Sequence, residues 1–265
     1  MPETDLDLLI AAAREAGRIA RRFTGTTAES WDKPGGAGPV TEADIAVNEM
    51  LEAELRKARP DYGWLSEESA DNLERQRAEK VFIIDPIDGT RSFIEGSRTW
   101  AHSLAIAENG IITEAVVYLP LRDKLYHAHR GKGAFLNDIA ITPTSRGELT
   151  GAHVLAARPA LERQHWQGSV PEVKRSHRPS LAYRTALVAE GRYDAMLTLR
   201  PTWEWDIAAG DLILREAGAV TSDRYGHDLR FNNPDPRLQG MVAAGKRMHK
   251  NLTRELKSKG SVPRF

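Results

Sequence analysis

The feature that most limits what this chain can become is Val81-Phe82-Ile83-Ile84, an unbroken β-branched and aromatic run that leads straight into Asp85-Pro86-Ile87-Asp88-Gly89-Thr90. Such a run is expected to form a strand buried on both faces, which requires further layers of helix or sheet to cover it. Pro86 fixes the backbone at the end of that strand and Gly89 permits a turn, so both carboxylates collect at the strand's C-terminal end. Such ends face ligands in open α/β sheets. Two carboxylates held close repel each other unless a cation lies between them, so the spacing predicts a divalent metal. The competing reading is a plain turn after a strand, where Asp and Gly are common for conformational reasons alone.

Composition narrows the metal. The 265 residues include no cysteine, which removes disulfides, thiolate zinc sites and cysteine nucleophiles together and leaves Asp, Glu and His as ligands. Lys and Arg number 37 against 37 Asp and Glu, so no excess positive field exists to hold a nucleic-acid polymer or an anionic membrane. The first residues are acidic where a secretory signal would be basic, and no run of about 18 apolar residues follows, so a soluble, cytoplasmic protein is expected.

Around the central run the pattern is mixed. Leu9, Ala13, Ala16, Ile19, Ala20 and Phe23 recur at helical spacing within residues 6–23. Thr41 reads as the N-cap of a second helix carrying Val47, Met50, Leu51 and Leu55 inward, with Asp44 in its first turn and Pro60 at its end. Strands are expected over 100–107 and 111–118, joined by the hairpin signal Asn109-Gly110, and again over 125–129. Beyond residue 152, short strands alternate with helical stretches, the last of them over 206–217 with Gly218 as its stop. These patterns predict an α+β first lobe, residues 1–146, carrying most of the metal ligands, and an α/β second lobe, residues 147–265, carrying Asp206 and the residues that recognise substrate.

Two further acidic sites extend the constellation. Glu67 and Glu68 follow a short apolar run and can reach the same sheet edge from a neighbouring element, with Glu68 the weaker candidate. Asp206 stands at the start of the 206–217 helix, where free N–H groups favour negative charge. The strings Leu65-Ser66-Glu67-Glu68-Ser69, Ile84-Asp85-Pro86-Ile87-Asp88-Gly89-Thr90 and Trp205-Asp206-Ile207-Ala208-Ala209-Gly210, in that order, resemble the inositol monophosphatase family of Mg²⁺-dependent, often lithium-sensitive phosphatases. Val40-Thr41-Glu42-Ala43-Asp44 and the stretch from Arg130 to Asn137 support the match, which runs from about residue 5 to residue 250.

The resemblance implies a layered α/β/α/β/α sandwich, usually a homodimer, that cleaves a small phosphate ester using two or three Mg²⁺ ions to activate water, without a covalent enzyme intermediate. Position by position, it places one metal on Glu67, Asp85 and the Ile87 carbonyl, a second on Asp85, Asp88 and Asp206, and a weaker third on Glu67. Thr90, oriented by Asp44, would align and deprotonate the water. The Gly89 and Thr90 amides would cradle the phosphate, with Asp88, Ser180, Arg184 and Asp206 also facing substrate.

Inositol phosphatases carry a Glu shortly before the Trp-Asp pair, whereas this chain has Thr198-Leu199-Arg200-Pro201-Thr202-Trp203 there. Pro201-Thr202 followed by Glu204-Trp205-Asp206 is closer to bacterial 3′(2′),5′-bisphosphate nucleotidases, which act on adenosine 3′,5′-bisphosphate. Trp203 would then stack on a base and Arg184 or Arg200 would pair with the second phosphate. Inositol 1-phosphate and fructose 1,6-bisphosphate are the alternative substrates, and a catalytically silent metal-binding scaffold is the alternative of another kind. Regulation through RNA or RNA polymerase, known for some relatives, finds no support in the neutral charge.

Other candidates favour plain readings. His127 and His129 share a strand face with no third zinc ligand nearby. Gly131-Lys132-Gly133 lacks the strand-to-helix setting of a dinucleotide loop. Arg175, His177 and Arg178 read as a solvated basic cluster, and Ser66 and Ser69 lack a histidine partner.

Overall fold

Helix α1, Asp5–Ala20, starts where Thr4 Oγ1 accepts the Asp7 amide at 3.1 Å and turns Leu9, Ala13, Ala16 and Ala20 into the protein. The periodicity beyond Ala20 continues only as a 3₁₀ turn, Arg21–Phe23. The computed structural model describes residues 4–24, 28–36 and 38–258. Strands β1, Ser30–Asp32, and β2, Pro39–Thr41, form a small antiparallel ribbon. Helix α2, Glu42–Ala58, begins at the predicted cap, and the Thr41 and Asp44 side chains bond each other's backbone in a reciprocal box.

The first large sheet follows chain order: β3, Gly63–Ser66; β4, Lys80–Asp88; β5, Ala101–Glu108; β6, Ile111–Leu119; β7, Lys124–His129; β8, Ala134–Leu136; and β9, Ile139–Ala140. Strands β3 and β4 are parallel and the rest antiparallel. Asn109 and Gly110 take positive φ, 51° and 79°, as a primed hairpin turn requires. Strand β4 runs beyond the apolar residues to Asp88, and its register with β5 shifts between Asp85 and Asp88. That bulge leaves Pro86 and Ile87 without cross-strand partners and bends the strand between the two acidic residues, which stay paired with Ser103 and Ala101. Helix α3, Thr90–Ile94, follows at once.

The remaining elements are β10, His153–Ala156; β11, Lys174–Ser176; α4, Leu181–Ala189; β12, Ala195–Thr198; β13, Thr202–Trp203; α5, Glu204–Glu216; β14, Ala219–Ser222; β15, Arg237–Leu238; β16, Met241–Gly245; and α6, Lys246–Glu255. A second sheet takes the order β11-β10-β12-β16-β14. Helix α5 starts two residues earlier than its periodicity suggests, and Gly218, at φ 95°, terminates it as expected.

Three apolar layers stack these parts. Helices α1 and α2 cover one face of the first sheet through Leu9, Leu51, Leu55, Phe82, Ile84 and Trp100. Between the sheets lie α4 and α5, packed through Leu187, Ile207 and Ile213 against Ile83 and Val117 on one side and Leu155 and Met196 on the other. Helix α6 closes the far face with Met248 and Leu252 against Val154, Trp166 and Leu197. The result is an α/β/α/β/α sandwich. Its central layer draws on residues from both sides of position 146, and the ends of β4 and α5 meet beside it.

Candidate active site

The bulge of β4 and the first turn of α5 bring Asp85, Asp88 and Asp206 together: one carboxylate oxygen from each lies within 4.8 Å of the other two. They are the only such group of three metal-capable side chains among the described residues. Among the described residues none of them forms an ion pair, and Asp85 Oδ1 is buried without a hydrogen-bond partner. Burial, and then repulsion from Glu67, Asp88 and each other, lifts Asp85 and Asp206 well above the ordinary carboxylate range. Burial pushes Asp88 up to about 6, while Ser180 Oγ and the Ala182 amide hold its Oδ2 at 2.7 and 2.6 Å. An all-oxygen set with an unpartnered buried lone pair and mutual repulsion fits a hard divalent cation.

Glu67 follows β3, its amide bonded to the Ile84 carbonyl at 3.2 Å. Its carboxylate faces the same cavity but is engaged by Lys33, whose Nζ lies 2.7 Å from Glu67 and 2.6 Å from Glu68. Glu68 is not solvated: burial pushes it up to about 7 despite Lys33. Nothing in the sequence singled out Lys33, a lone lysine before a loop of small residues.

Thr90 opens α3, where the first-turn amides have no intrahelical carbonyl to bond. Its Oγ1 lies 3.1 Å from Asp44 Oδ1 and 3.2 Å from the Ile87 carbonyl. The other oxygen of Asp44 accepts the Thr41 amide at 2.9 Å and the Thr41 hydroxyl at 2.5 Å, and burial pushes the carboxyl up to about 6. Gly89 needs its hydrogen: at φ 100° an L side chain is strained. Ser180 is fully buried as the N-cap of α4, its hydroxyl donated to Asp88 behind the cavity wall.

A cavity of about 800 Å³ is lined by the Asp85, Asp88 and Asp206 carboxylates together with His177, Arg184, Arg200 and Trp203, and also by Glu162, Gln164 and His165. Arg184 bonds the Arg178 carbonyl and lies 2.7 Å from His177 Nε2, and burial lowers it to about 10. Trp203 is 39% exposed, but its ring lies parallel to that of Trp205 at 4.8 Å, with the Arg237 guanidinium 5.3 Å away. Much of its surface is thus already committed.

A match to the model of the inositol monophosphatase family spans residues 1–261. The chain belongs to that family. An inositol-1-monophosphatase of Mesorhizobium japonicum is 35% identical over 91% of each chain. The Nus factor SuhB of Escherichia coli is 32% identical over 91% of this chain and 90% of its own. Among solved structures, the extragenic suppressor protein suhB of Bartonella henselae superposes with TM-score 0.79 at 30% identity, covering 94% of this chain and 96% of that one. An IMPase of Thermotoga maritima gives 0.80 at 28%, covering 94% and 95%. As an inositol monophosphatase family member the protein is a phosphomonoesterase.

The other sequence candidates have local partners. His129 Nδ1 lies 2.6 Å from Glu114 and His127 Nε2 lies 3.3 Å from Asp138, so the two histidines serve different carboxylates. The Gly131 and Gly133 amides of the hairpin turn both donate to Glu216, each at 2.8 Å. Arg175 bonds the Ala156 carbonyl and Arg178 the Tyr193 hydroxyl, leaving only His177 of that cluster on the cavity. Ser66 and Ser69 bond Asn48.

Two outcomes follow from this geometry. Thr41→Ala removes the α2 cap and the hydroxyl donor to Asp44, leaving the backbone amide donor in place, and is expected to cost about 1 kcal/mol of stability, read as a lower Tm. Raised carboxyl pKa values mean that below about pH 6 the folded, metal-free chain carries protons on Asp88 and its neighbours that a cation must displace. Mg²⁺ affinity should therefore fall about tenfold per pH unit for each proton displaced. Calorimetric titration and the Mg²⁺-induced rise in Tm at pH 5 and pH 8 test this; equal rises at both contradict it.

Proposed function

We propose that this phosphomonoesterase hydrolyses a bisphosphorylated nucleotide of the adenosine 3′,5′-bisphosphate type, using magnesium held by Asp85, Asp88, Asp206, Glu67 and the Ile87 carbonyl. The observation that carries the reading is the cavity's mixed lining. At about 800 Å³ it is roomy for one phosphate on a small polyol, and it is lined by the carboxylates together with His177, Arg184 and Arg200, with Arg184 and Arg200 near enough to Asp206 to act on its charge. The stretch Thr198–Trp203 contributes Thr198, Leu199, Arg200 and Trp203 to the lining, with no carboxylate for ring hydroxyls.

Bound magnesium would supply positive charge for an in-line displacement by water at phosphorus. The protein's own groups orient that displacement. Thr90 Oγ1, bonded to Asp44, can accept a hydrogen bond from the attacking water and relay its proton to the Asp44 carboxylate. The first-turn amides of Gly89 and Thr90 would cradle the phosphoryl oxygens, and Asp88, one oxygen of which is held by Ser180 and the Ala182 amide at the start of α4, would offer its other oxygen to the metal. The second phosphate would lie between Arg184 and Arg200 as a charge-assisted contact.

A polyol substrate is the second reading. Glu162, also in the cavity lining, is a carboxylate that ring hydroxyls could use, and a relative at 35% identity is named inositol-1-monophosphatase. Phosphate release from adenosine 3′,5′-bisphosphate, inositol 1-phosphate and fructose 1,6-bisphosphate, each with Mg²⁺ and with chelator, decides between them. The nucleotide is expected to lead in kcat/KM by about tenfold or more, as a charged hydrogen bond made to one substrate alone would give. Preference for inositol 1-phosphate overturns the proposal, and no release from any ester favours a silent scaffold. The homodimer and the cytoplasmic, lithium-sensitive enzyme that the family resemblance implies belong to this same proposal; light scattering and LiCl inhibition test the first and last.

A further inference from the structure

Glu204 is fully buried, opens α5 two residues before Asp206, and is absent from the cavity lining. Its carboxylate takes three hydrogen bonds from one loop: the Asn232 amide at 2.6 Å on one oxygen, and the Asn233 amide and side-chain amide at 2.9 and 2.7 Å on the other. The same loop is gripped from the opposite side by Arg75, itself only 2% exposed. Arg75 Nη1 donates to Asn232 Oδ1 at 2.6 Å and Nη2 to the Asn233 carbonyl at 2.9 Å, while Asp71 pairs with its guanidinium at 2.7 Å. Gln76 adds a bond to the Asn232 carbonyl at 2.6 Å.

Arg75 follows Glu67 by eight residues and Glu204 precedes Asp206 by two. A continuous polar bridge, buried at Glu204 and Arg75 and half-buried at Asn232 and Asn233, therefore joins the segment that bears Glu67 to the helix turn that bears Asp206. We propose that Glu204 is a positioning residue: through Asn232, Asn233 and Arg75 it fixes the first turn of α5 so that the Asp206 carboxylate meets Asp85 and Asp88 at the distance a divalent cation needs. This rests on reading the acidic cluster as a cation site. The physical reason is that a hydrogen-bonded charge inside the protein resists displacement in every direction. The only other side-chain hydrogen bond to that turn among the described residues is from Ser103, whose hydroxyl donates to the Trp205 carbonyl at 3.0 Å. A shift of a few tenths of an ångström in Asp206 is enough to weaken an ion held by three carboxylates, and partners that orient ligands from behind are typically worth 10–100-fold in metal affinity.

The test uses the full chain with Glu204→Ala, Glu204→Gln and Asn233→Ala. Mn²⁺ binding is measured calorimetrically without substrate, alongside kcat and the half-saturating Mg²⁺ concentration. Glu204→Ala and Asn233→Ala are expected to weaken Mn²⁺ binding about tenfold or more and to raise the Mg²⁺ half-saturation by the same factor, with kcat recovering at saturating Mg²⁺. Glu204→Gln, which keeps an acceptor, is expected to shift both by less. If Glu204→Ala fails to fold, Asn233→Ala, which removes one donor, decides. Folded variants that bind Mn²⁺ like the wild type overturn the proposal, as does a loss of kcat with unchanged Mg²⁺ half-saturation. A wild-type chain that binds no Mn²⁺ overturns the cation site itself, a separate result.

Discussion

Asp85→Asn is expected to lower kcat by at least about 10³-fold while leaving the Tm of the metal-free protein unchanged or raised. Asparagine has the same shape, so the packing at the β4 bulge survives, but one negative charge leaves a buried cluster in which burial and Glu67, Asp88 and Asp206 all disfavour it. Oδ1 of Asp85 has no internal partner to lose. On the proposed reading that charge serves a cation rather than the stability of the fold. A loss of 10³ corresponds to about 4 kcal/mol of transition-state stabilisation, a size in keeping with removing the metal ligand proposed here. Phosphate release and differential scanning fluorimetry, run with and without Mg²⁺, give both halves. Near-normal turnover, or a stability loss that tracks the activity loss, contradicts the account.

Arg200→Ala is expected to raise KM for adenosine 3′,5′-bisphosphate about 10–100-fold and to change kcat/KM for inositol 1-phosphate by no more than about threefold. Arg200 suits this test because it is exposed, lines the cavity, and its side chain makes, among the described residues, only one long hydrogen bond, to the Pro201 carbonyl at 3.5 Å. Arg184 is buried and tied to His177 and Arg178, so its removal disturbs the wall as well. Arg200 also acts on Asp206 from a distance. The singly phosphorylated substrate controls for that: an equal effect on both esters means that Arg200 acts through the metal site rather than on a second phosphate.

Local signals in the chain carried the elements they control. The Thr41 cap, the Asn109-Gly110 turn and the Gly218 stop each depend on one or two residues whose conformational needs are specific, and each lies where those needs predict. The acidic set was legible because like charges at a strand end and a helix start have few other reasons to be there, and the structure brings Asp85, Asp88 and Asp206 within reach of one ion. What stayed hidden depends on distant pairing. Lys33 meets Glu67 across 34 positions, and Arg75 meets Asn232 across 157. The four residues Met241–Ala244 are all buried, yet a run that short fits helix or strand equally; only pairing with β12 and β14 settles it. Ser180 faces Asp88 rather than the cavity because the start of α4 places its hydroxyl there, a consequence of packing that no motif encodes.

Diffusing Mn²⁺ into crystals of the protein and recording anomalous scattering tests the central claim most directly. A peak coordinated jointly by Asp85, Asp88 and Asp206, absent from crystals of Asp85→Asn, is the predicted result. Ordered Mn²⁺ only elsewhere, or an undiminished peak in the variant, would contradict it.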